Sequence, residues 1–157
     1  MPKFENSQIV RHTPRQMFDL VSDVERYPEF LPLCQRLVVR SRKERDEKML
    51  LIADMTVAYK MVRETFTSQV LLKPAEREID VKYVDGPFRY LENRWMFRDH
   101  PDGCEVVFFI DYEFKSRTLG LLMGSMFDFA FRRFSSAFKE RADEIYKSNP
   151  AASDQPA

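Results

Sequence analysis

The chain has 157 residues, 25 Lys and Arg against 25 Asp and Glu, and 13% aromatic residues that include 14 Phe. That length suits a single domain over residues 1–147 followed by a flexible tail at 148–157, with a core large enough to need no disulfide or metal staple. The balanced charge excludes the global basic field of a DNA-binding protein, and no stretch approaches the roughly 18 continuous apolar residues of a membrane-spanning helix.

Lys3–Val10 reads as a first strand at a sheet edge. Thr13-Pro14-Arg15-Gln16 is a helix start, with Thr13 as cap, Pro14 at the first helical position and Gln16 completing a capping box. That helix carries Met17, Phe18, Leu20 and Val21 and stops near Ser22-Asp23. A second short helix is expected over Val24–Tyr27, with Pro28 starting a further helical turn through Phe30 and Leu31 until Pro32 ends it.

From Cys34 the period changes to two. Leu37-Val38-Val39 is a strand, and Lys43-Glu44-Arg45-Asp46-Glu47 is its turn. Met49–Tyr59 alternates as a long strand, a tight turn follows near Lys60, and Val62–Leu72 alternates in its turn. Ile79, Val81 and Tyr83 share one face of the next strand, which Asp85-Gly86-Pro87 breaks. Leu91, Trp95 and Phe97 point one way on the sixth strand, and Val106, Phe108, Ile110, Tyr112 and Phe114 on the seventh. Short turns between successive strands make the sheet antiparallel.

Thr118–Lys147 reads as one helix roughly 45 Å long. Its apolar face comprises Leu119, Met123, Met126, Phe127, Ala130, Phe131, Phe134, Phe138 and Ile145, while Asp128, Arg132, Ser135, Ser136, Lys139 and Asp143 fall opposite. So many bulky side chains need a broad curved surface to lie against. The fold class is therefore α+β with a helix-grip architecture: a curved antiparallel sheet of about seven strands around a long C-terminal helix, with two short helices after the first strand. The helix and the sheet leave a space between them that suits an apolar ligand.

Little in the chain points to catalysis. Cys34, Cys104, His12 and His100 have no metal-ligand spacing, and there is no Gly-rich phosphate loop or Gly-x-Ser-x-Gly element. Cys34 reads as a small apolar filler. Asp54 and Asp111 are the carboxylates whose pairing only geometry can decide.

The element order resembles START-like domains of the polyketide cyclase/dehydrase superfamily. Within them, DVERYPEFLPLC (Asp23–Cys34) and GPFRYLENRWMF (Gly86–Phe97) are similar to the signatures of the coenzyme Q-binding branch, which includes the bacterial RatA-type proteins. VRETFTSQVLLKP (Val62–Pro74) and VVFFIDYEFKS (Val106–Ser116) agree with it, and the resemblance covers Lys3 to Tyr146. It implies a non-catalytic carrier that needs no cofactor and holds ubiquinone or a related polyprenyl lipid as its ligand. Respiratory or quinone-biosynthesis enzymes would receive that lipid. The alternatives within the resemblance are a ribosome-associated inhibitor of subunit association and a polyketide-type cyclase or dehydratase.

A quinone with an isoprenoid tail needs a dry tunnel and one or two hydrogen-bond donors, for which Trp95 and Tyr112 are the candidates. Phe30 and Leu31 are candidates for a lid, and Phe88 for the mouth. The full candidate ligand-binding set is Phe30, Leu31, Tyr59, Phe88, Trp95, Phe97, Phe108, Tyr112, Met123, Phe127 and Phe131, with no catalytic residue and no metal ligand. For the ribosomal alternative, Arg36, Arg40, Arg42, Lys43 and Arg45 make a basic run, to which Arg132, Arg133 and Lys139 add. The first strand follows the N-terminus with no apolar signal or Arg-rich transit segment between, so a cytoplasmic location is expected, peripheral at the inner face of the membrane. Membrane contact would use Tyr59-Lys60-Met61, Gly86-Pro87-Phe88 and the apolar helix start Leu119–Met123, next to Arg117.

Overall fold

The computed structural model describes residues 3–59 and 61–147. The elements run β1 (Lys3–Val10), α1 (Pro14–Ser22), a 3₁₀ helix (Val24–Glu29), β2 (Cys34–Arg45), β3 (Lys48–Tyr59), β4 (Val62–Lys73), β5 (Glu78–Asp85), β6 (Phe88–His100), β7 (Gly103–Phe114) and α2 (Arg117–Lys147). All neighbouring strands are antiparallel, in the order β1-β7-β6-β5-β4-β3-β2, so β1 and β2 are the two edges. This is the helix-grip arrangement expected from the alternation and the helical periodicity. The turn at Lys60 and the tail at 148–157 lie outside the described residues.

The local chemistry starts α1 as expected. Thr13 Oγ1 accepts from the Gln16 backbone N–H at 3.1 Å, and Gln16 Oε1 accepts from the Thr13 N–H at 2.9 Å. Two expectations are corrected nearby. The second short helix is a 3₁₀ segment that runs through Pro28 to Glu29, and Phe30 and Leu31 lie in the turn after it. The tighter winding loses only one bond at Pro28, whereas an α-helix would also meet its ring. The five-residue charged tip is mostly strand, because β2 continues to Arg45 and only Asp46-Glu47 turn. Both turn residues have positive φ, 53° and 63°, as a two-residue hairpin matched to strand twist requires.

α2 covers the concave face. It buries Met123, Met126, Phe127, Ala130, Phe131, Phe138 and Ala142 at three- and four-residue spacing. Two positions depart from the expected wheel. Ser135 is buried, because β1 lies alongside and takes its polar groups: Ser135 Oγ donates to Asn6 Oδ1 at 2.8 Å, and the Ser135 carbonyl accepts from Gln8 Nε2 at 2.6 Å. Ile145 is exposed, on a shallow surface groove that it lines together with residues of α1 and the 3₁₀ segment.

The attachment of α2 is asymmetric. Its hydrogen bonds to other elements, among the described residues, all fall from Ser135 onward. Besides those to β1, Asp143 Oδ1 meets His12 Nε2 at 2.7 Å, the Tyr146 hydroxyl donates to the Gln16 carbonyl at 2.8 Å, and Arg141 pairs with Glu29. The first half is held by apolar packing and by its own cap, where Ser116 Oγ accepts from the Leu119 N–H at 3.0 Å. Leu121 and Leu122 there are 79% and 64% exposed.

The β6–β7 hairpin depends on Gly103. Its φ is 143°, and a Cβ there would sit 2.4 Å from the Val10 carbonyl oxygen and 2.9 Å from that of His12. Both neighbours are backbone and cannot rotate away. Gly103→Ala is expected to cost about 2 kcal/mol or more, read as a lower urea midpoint at unchanged slope.

Candidate functional site

Between the concave face and the middle of α2 lies a cavity of about 80 Å³. The 3₁₀ segment and the turn after it contribute Val24, Tyr27 and Leu31, and β2 and β3 contribute Leu37, Ala53 and Met55. The central strands supply Phe66, Ser68, Val70, Ile79 and Val81, and then Leu91, Asn93, Trp95 and Ile110. Phe131, Phe134 and Phe138 of α2 close it. The wall is apolar except at three side chains. The Tyr27 hydroxyl donates to the Val21 carbonyl, and burial, with Cys34 and Asp23 nearby, pushes its phenol far above the ordinary range. Asn93 Nδ2 donates to the Phe109 carbonyl at 2.8 Å. Ser68 Oγ is buried without a hydrogen-bond partner.

Among the described residues of this wall, the Tyr27 phenol is the only titratable group, and it is already engaged. The described wall residues thus supply neutral polar groups and no free acid or base. Asp54 and Asp111 do not pair. Both point away from α2: Asp54 accepts from Thr67 Oγ1 at 2.6 Å and pairs with Arg40 on one side of the sheet, and Asp111 accepts from the Tyr90 hydroxyl at 3.2 Å near the other edge. Among the described residues, no three His, Cys, Asp or Glu side chains gather as a metal ion would need.

A family model described as polyketide cyclase / dehydrase and lipid transport matches residues 10–139. The chain belongs to this family. Relatives in it include a protein of Rickettsia prowazekii named ribosome association toxin RatA, 33% identical over 150 residues, which are 94% of this chain and 100% of that one. Another, from Xenopus laevis, is named coenzyme Q-binding protein COQ10 homolog B, mitochondrial. It is 30% identical over 149 residues, 92% of this chain and 59% of that one. Among solved structures, a START superfamily protein from Mycobacterium smegmatis shares the fold, with a TM-score of 0.75 at 19% identity over 91% of this chain and 98% of that one.

In this member of the polyketide cyclase / dehydrase and lipid transport family, the eleven candidate residues fall into three groups. Leu31, Trp95 and Phe131 line the cavity. Phe88, Tyr112, Met123 and Phe127 are buried beside it, under the first half of α2, where Phe88 is the hub of an aromatic cluster. Its ring lies 5.0 Å from Phe114, 5.4 Å from Phe127 and Phe66, and 5.8 Å from Tyr112. The expected mouth residue is thus fully buried. The remaining residues sit around the outside of the cavity. Phe97 packs on Phe18 of α1, Phe108 on Trp95 at 4.7 Å, and Phe30 across Phe138 at 5.1 Å, while Tyr59 is half-exposed at the end of β3.

Of the two candidate donors, Trp95 lines the cavity and Tyr112 lies beside it. The Tyr112 phenol is inside the aromatic cluster, where burial, with Asp128 nearby, pushes it up to about 12. Ser68 and Asn93, which the sequence reading passed over, are the polar groups of the wall. Their signal was present: each is a polar residue at an inward step of an apolar alternation, Phe66-Ser68-Val70 and Leu91-Asn93-Trp95.

The basic run is partly neutralised. Arg40 pairs with Asp54 and Arg42 with Glu25, and on α2 Arg132 pairs with Asp128 at 2.9 Å and Lys139 with Asp143 at 3.2 Å. Arg36, Lys43 and Arg45 are exposed along the β2 edge.

Both cysteines are free and buried. Burial pushes the Cys34 thiol from 9.0 to about 11 and the Cys104 thiol from 9.0 to about 12. The neutral thiols are the form the fold holds. Their contribution to stability is full below pH 9 and is lost as the pH rises through 11 to 12. Two results are expected: thiol alkylation at pH 8 that is slow in native protein and fast in urea, and a melting temperature that falls on the alkaline side of pH 9. Rapid native alkylation of either residue would contradict this burial.

Proposed function

We propose that the protein is a non-catalytic carrier that holds ubiquinone or a related polyprenyl lipid between α2 and the sheet and passes it to respiratory or quinone-biosynthesis enzymes. The observation that carries this reading is the cavity wall, apolar apart from two neutral polar side chains and one engaged phenol. The family's description includes lipid transport, and one relative is named for binding coenzyme Q.

Size sets a condition on the proposal. The cavity measures about 80 Å³, whereas pockets for drug-sized molecules measure about 300–1,000 Å³. The lipid must therefore displace protein. Among the described residues, the first half of α2 makes no hydrogen bonds to other elements, and it contains Gly120 and Gly124, each of which weakens a helix by about 1 kcal/mol relative to Ala. Swinging it outward would open the aromatic cluster around Phe88 and join that space to the cavity.

The same end of the molecule suits peripheral contact with a bilayer. The β3–β4 hairpin, the β5–β6 hairpin and the start of α2 all lie there. They expose Tyr59, Met61, Val84, Leu121 and Leu122. No described helix is long and apolar enough to cross a membrane.

Mass spectrometry of organic extracts from gently purified protein is expected to find a prenylated quinone in stoichiometric amount, and lipid-free extracts from protein made in a quinone-producing host would remove the reading. Liposome flotation tests the docking end separately. Leu121→Glu with Leu122→Glu is expected to abolish flotation while leaving the fold intact, and equal flotation of wild type and variant would refute membrane contact there.

A second reading is binding to a ribosomal subunit, favoured by relatives named for ribosome association and by the exposed Arg36, Lys43 and Arg45 on the β2 edge. It predicts that added protein shifts sedimenting ribosomes toward separate subunits, and that reversing these three charges prevents the shift. Unchanged sedimentation at saturating protein would end it.

A further inference from the structure

We infer that Ser68 reads the head group of the bound lipid, donating its hydroxyl to a ligand oxygen, with Asn93 as a second contact, and that the head group is neutral. This rests on the carrier reading above and specifies which chemistry the cavity selects.

Ser68 is 6% exposed, lies in the cavity wall and has no hydrogen-bond partner. Buried hydroxyls are almost always paired, because an unmade bond forfeits the group's solvation with no return. Folding gains nothing from a hydroxyl here; Ala or Val would serve the packing at least as well. The ladder is also irregular at this point. β4 pairs Thr67 with Asp85 but Ser68 with Tyr83, leaving Val84 as an extra residue on β5. Such bulges re-aim side chains next to sites of function.

Asn93 stands on β6, on the other side of β5 from Ser68, and lines the same cavity. One of its N–H groups is spent on the Phe109 carbonyl, which fixes the plane of the amide. Its carbonyl oxygen and second N–H remain for other partners. Among the described residues, the wall contains no Lys, Arg, Asp or Glu. A phosphate or carboxylate brought in there would lose its water and meet no counter-charge. The wall thus fits a neutral ring or chain bearing carbonyl or hydroxyl oxygen, and it rejects a polyprenyl phosphate of the same tail. The cavity adjoins the aromatic cluster through Phe66, which packs on Phe88, so an isoprenoid tail leaving the head group has an apolar route beneath the first turns of α2.

Trp95 is the single tryptophan and lines the cavity, so quenching of its fluorescence reports a quinone bound there. The probes are a benzoquinone carrying two isoprene units, an oxygen-free benzene with the same tail, and the phosphate of the same prenyl alcohol. The last two are measured by displacement of the first. Ser68→Ala is expected to bind the quinone about fivefold more weakly, to bind the hydrocarbon unchanged, and to melt no lower than wild type without ligand. Wild type is expected to bind the quinone more tightly than the phosphate.

Equal losses for quinone and hydrocarbon, or no loss for either, would show that Ser68 reads no oxygen. Phosphate binding as tight as that of the quinone would overturn the neutral head group. Failure of wild type to bind either quinone or hydrocarbon would instead reject the carrier reading itself. Ser68→Cys keeps the shape and weakens the donor; should the alanine variant not fold, it must show the same selective loss, smaller in size.

Discussion

One long helix, with α1 and the 3₁₀ segment beside it, has to cover the concave face of a seven-stranded sheet. That face carries Trp95, Phe66, Phe88, Phe97, Phe108, Tyr112 and Phe114, all buried. Each such side chain removes roughly 150–250 Å² from water, so the sheet cannot persist without its cover. α2 meets the need with Phe and Met at three- and four-residue spacing. These large side chains pack densely against the aromatic cluster at one end of the sheet. Around the middle of the helix they leave a small gap, and the candidate site is that gap.

The way the helix is fastened matters as much as its length. Ser135, Arg141, Asp143 and Tyr146 bond it to β1, to the 3₁₀ segment, to the chain before α1 and to α1, respectively. Directional bonds of this kind fix register and resist sliding. The earlier turns rely on apolar contact, which tolerates displacement as long as something apolar takes the place of what is lost. A lipid tail is such a substitute, and so is the interior of a bilayer surface. The asymmetry thus separates a half of the helix that anchors from a half that can exchange partners.

Much of this architecture was legible in the sequence because it depends on period and on local turn chemistry. Alternation set the strands, Thr13 and Gln16 marked the start of α1, and the spacing from Leu119 to Phe138 set α2. What escaped depends on which elements lie side by side. Ser135 reads as a surface residue until β1 is placed beside it, and the Asp46-Glu47 turn reads as part of a longer charged loop until strand pairing narrows it. The site was partly legible for the same reason. Alternation tells which side chains face inward, but not where along a strand the packing leaves space. Trp95 and Phe131 fell beside the gap, whereas Phe88, Tyr112 and Phe127 fell where the aromatic cluster fills it. Ser68 and Asn93 were hidden by attention to large apolar side chains. Their polarity at inward positions was the informative anomaly.

The uneven fastening of α2 also separates two quantities that are usually tied together. In a cavity enclosed on all sides by hydrogen-bonded structure, a guest leaves only when much of the protein comes apart, and its residence time tracks global stability. Here the guest's lifetime would be set by the local opening of three or four helical turns, whose free energy is a fraction of that of unfolding. Substitutions at Gly120, Gly124, Leu121 or Leu122 could lengthen or shorten that lifetime by orders of magnitude while the melting temperature barely moved. On the carrier reading, a chain built this way would tune how long it keeps a lipid independently of how well it folds.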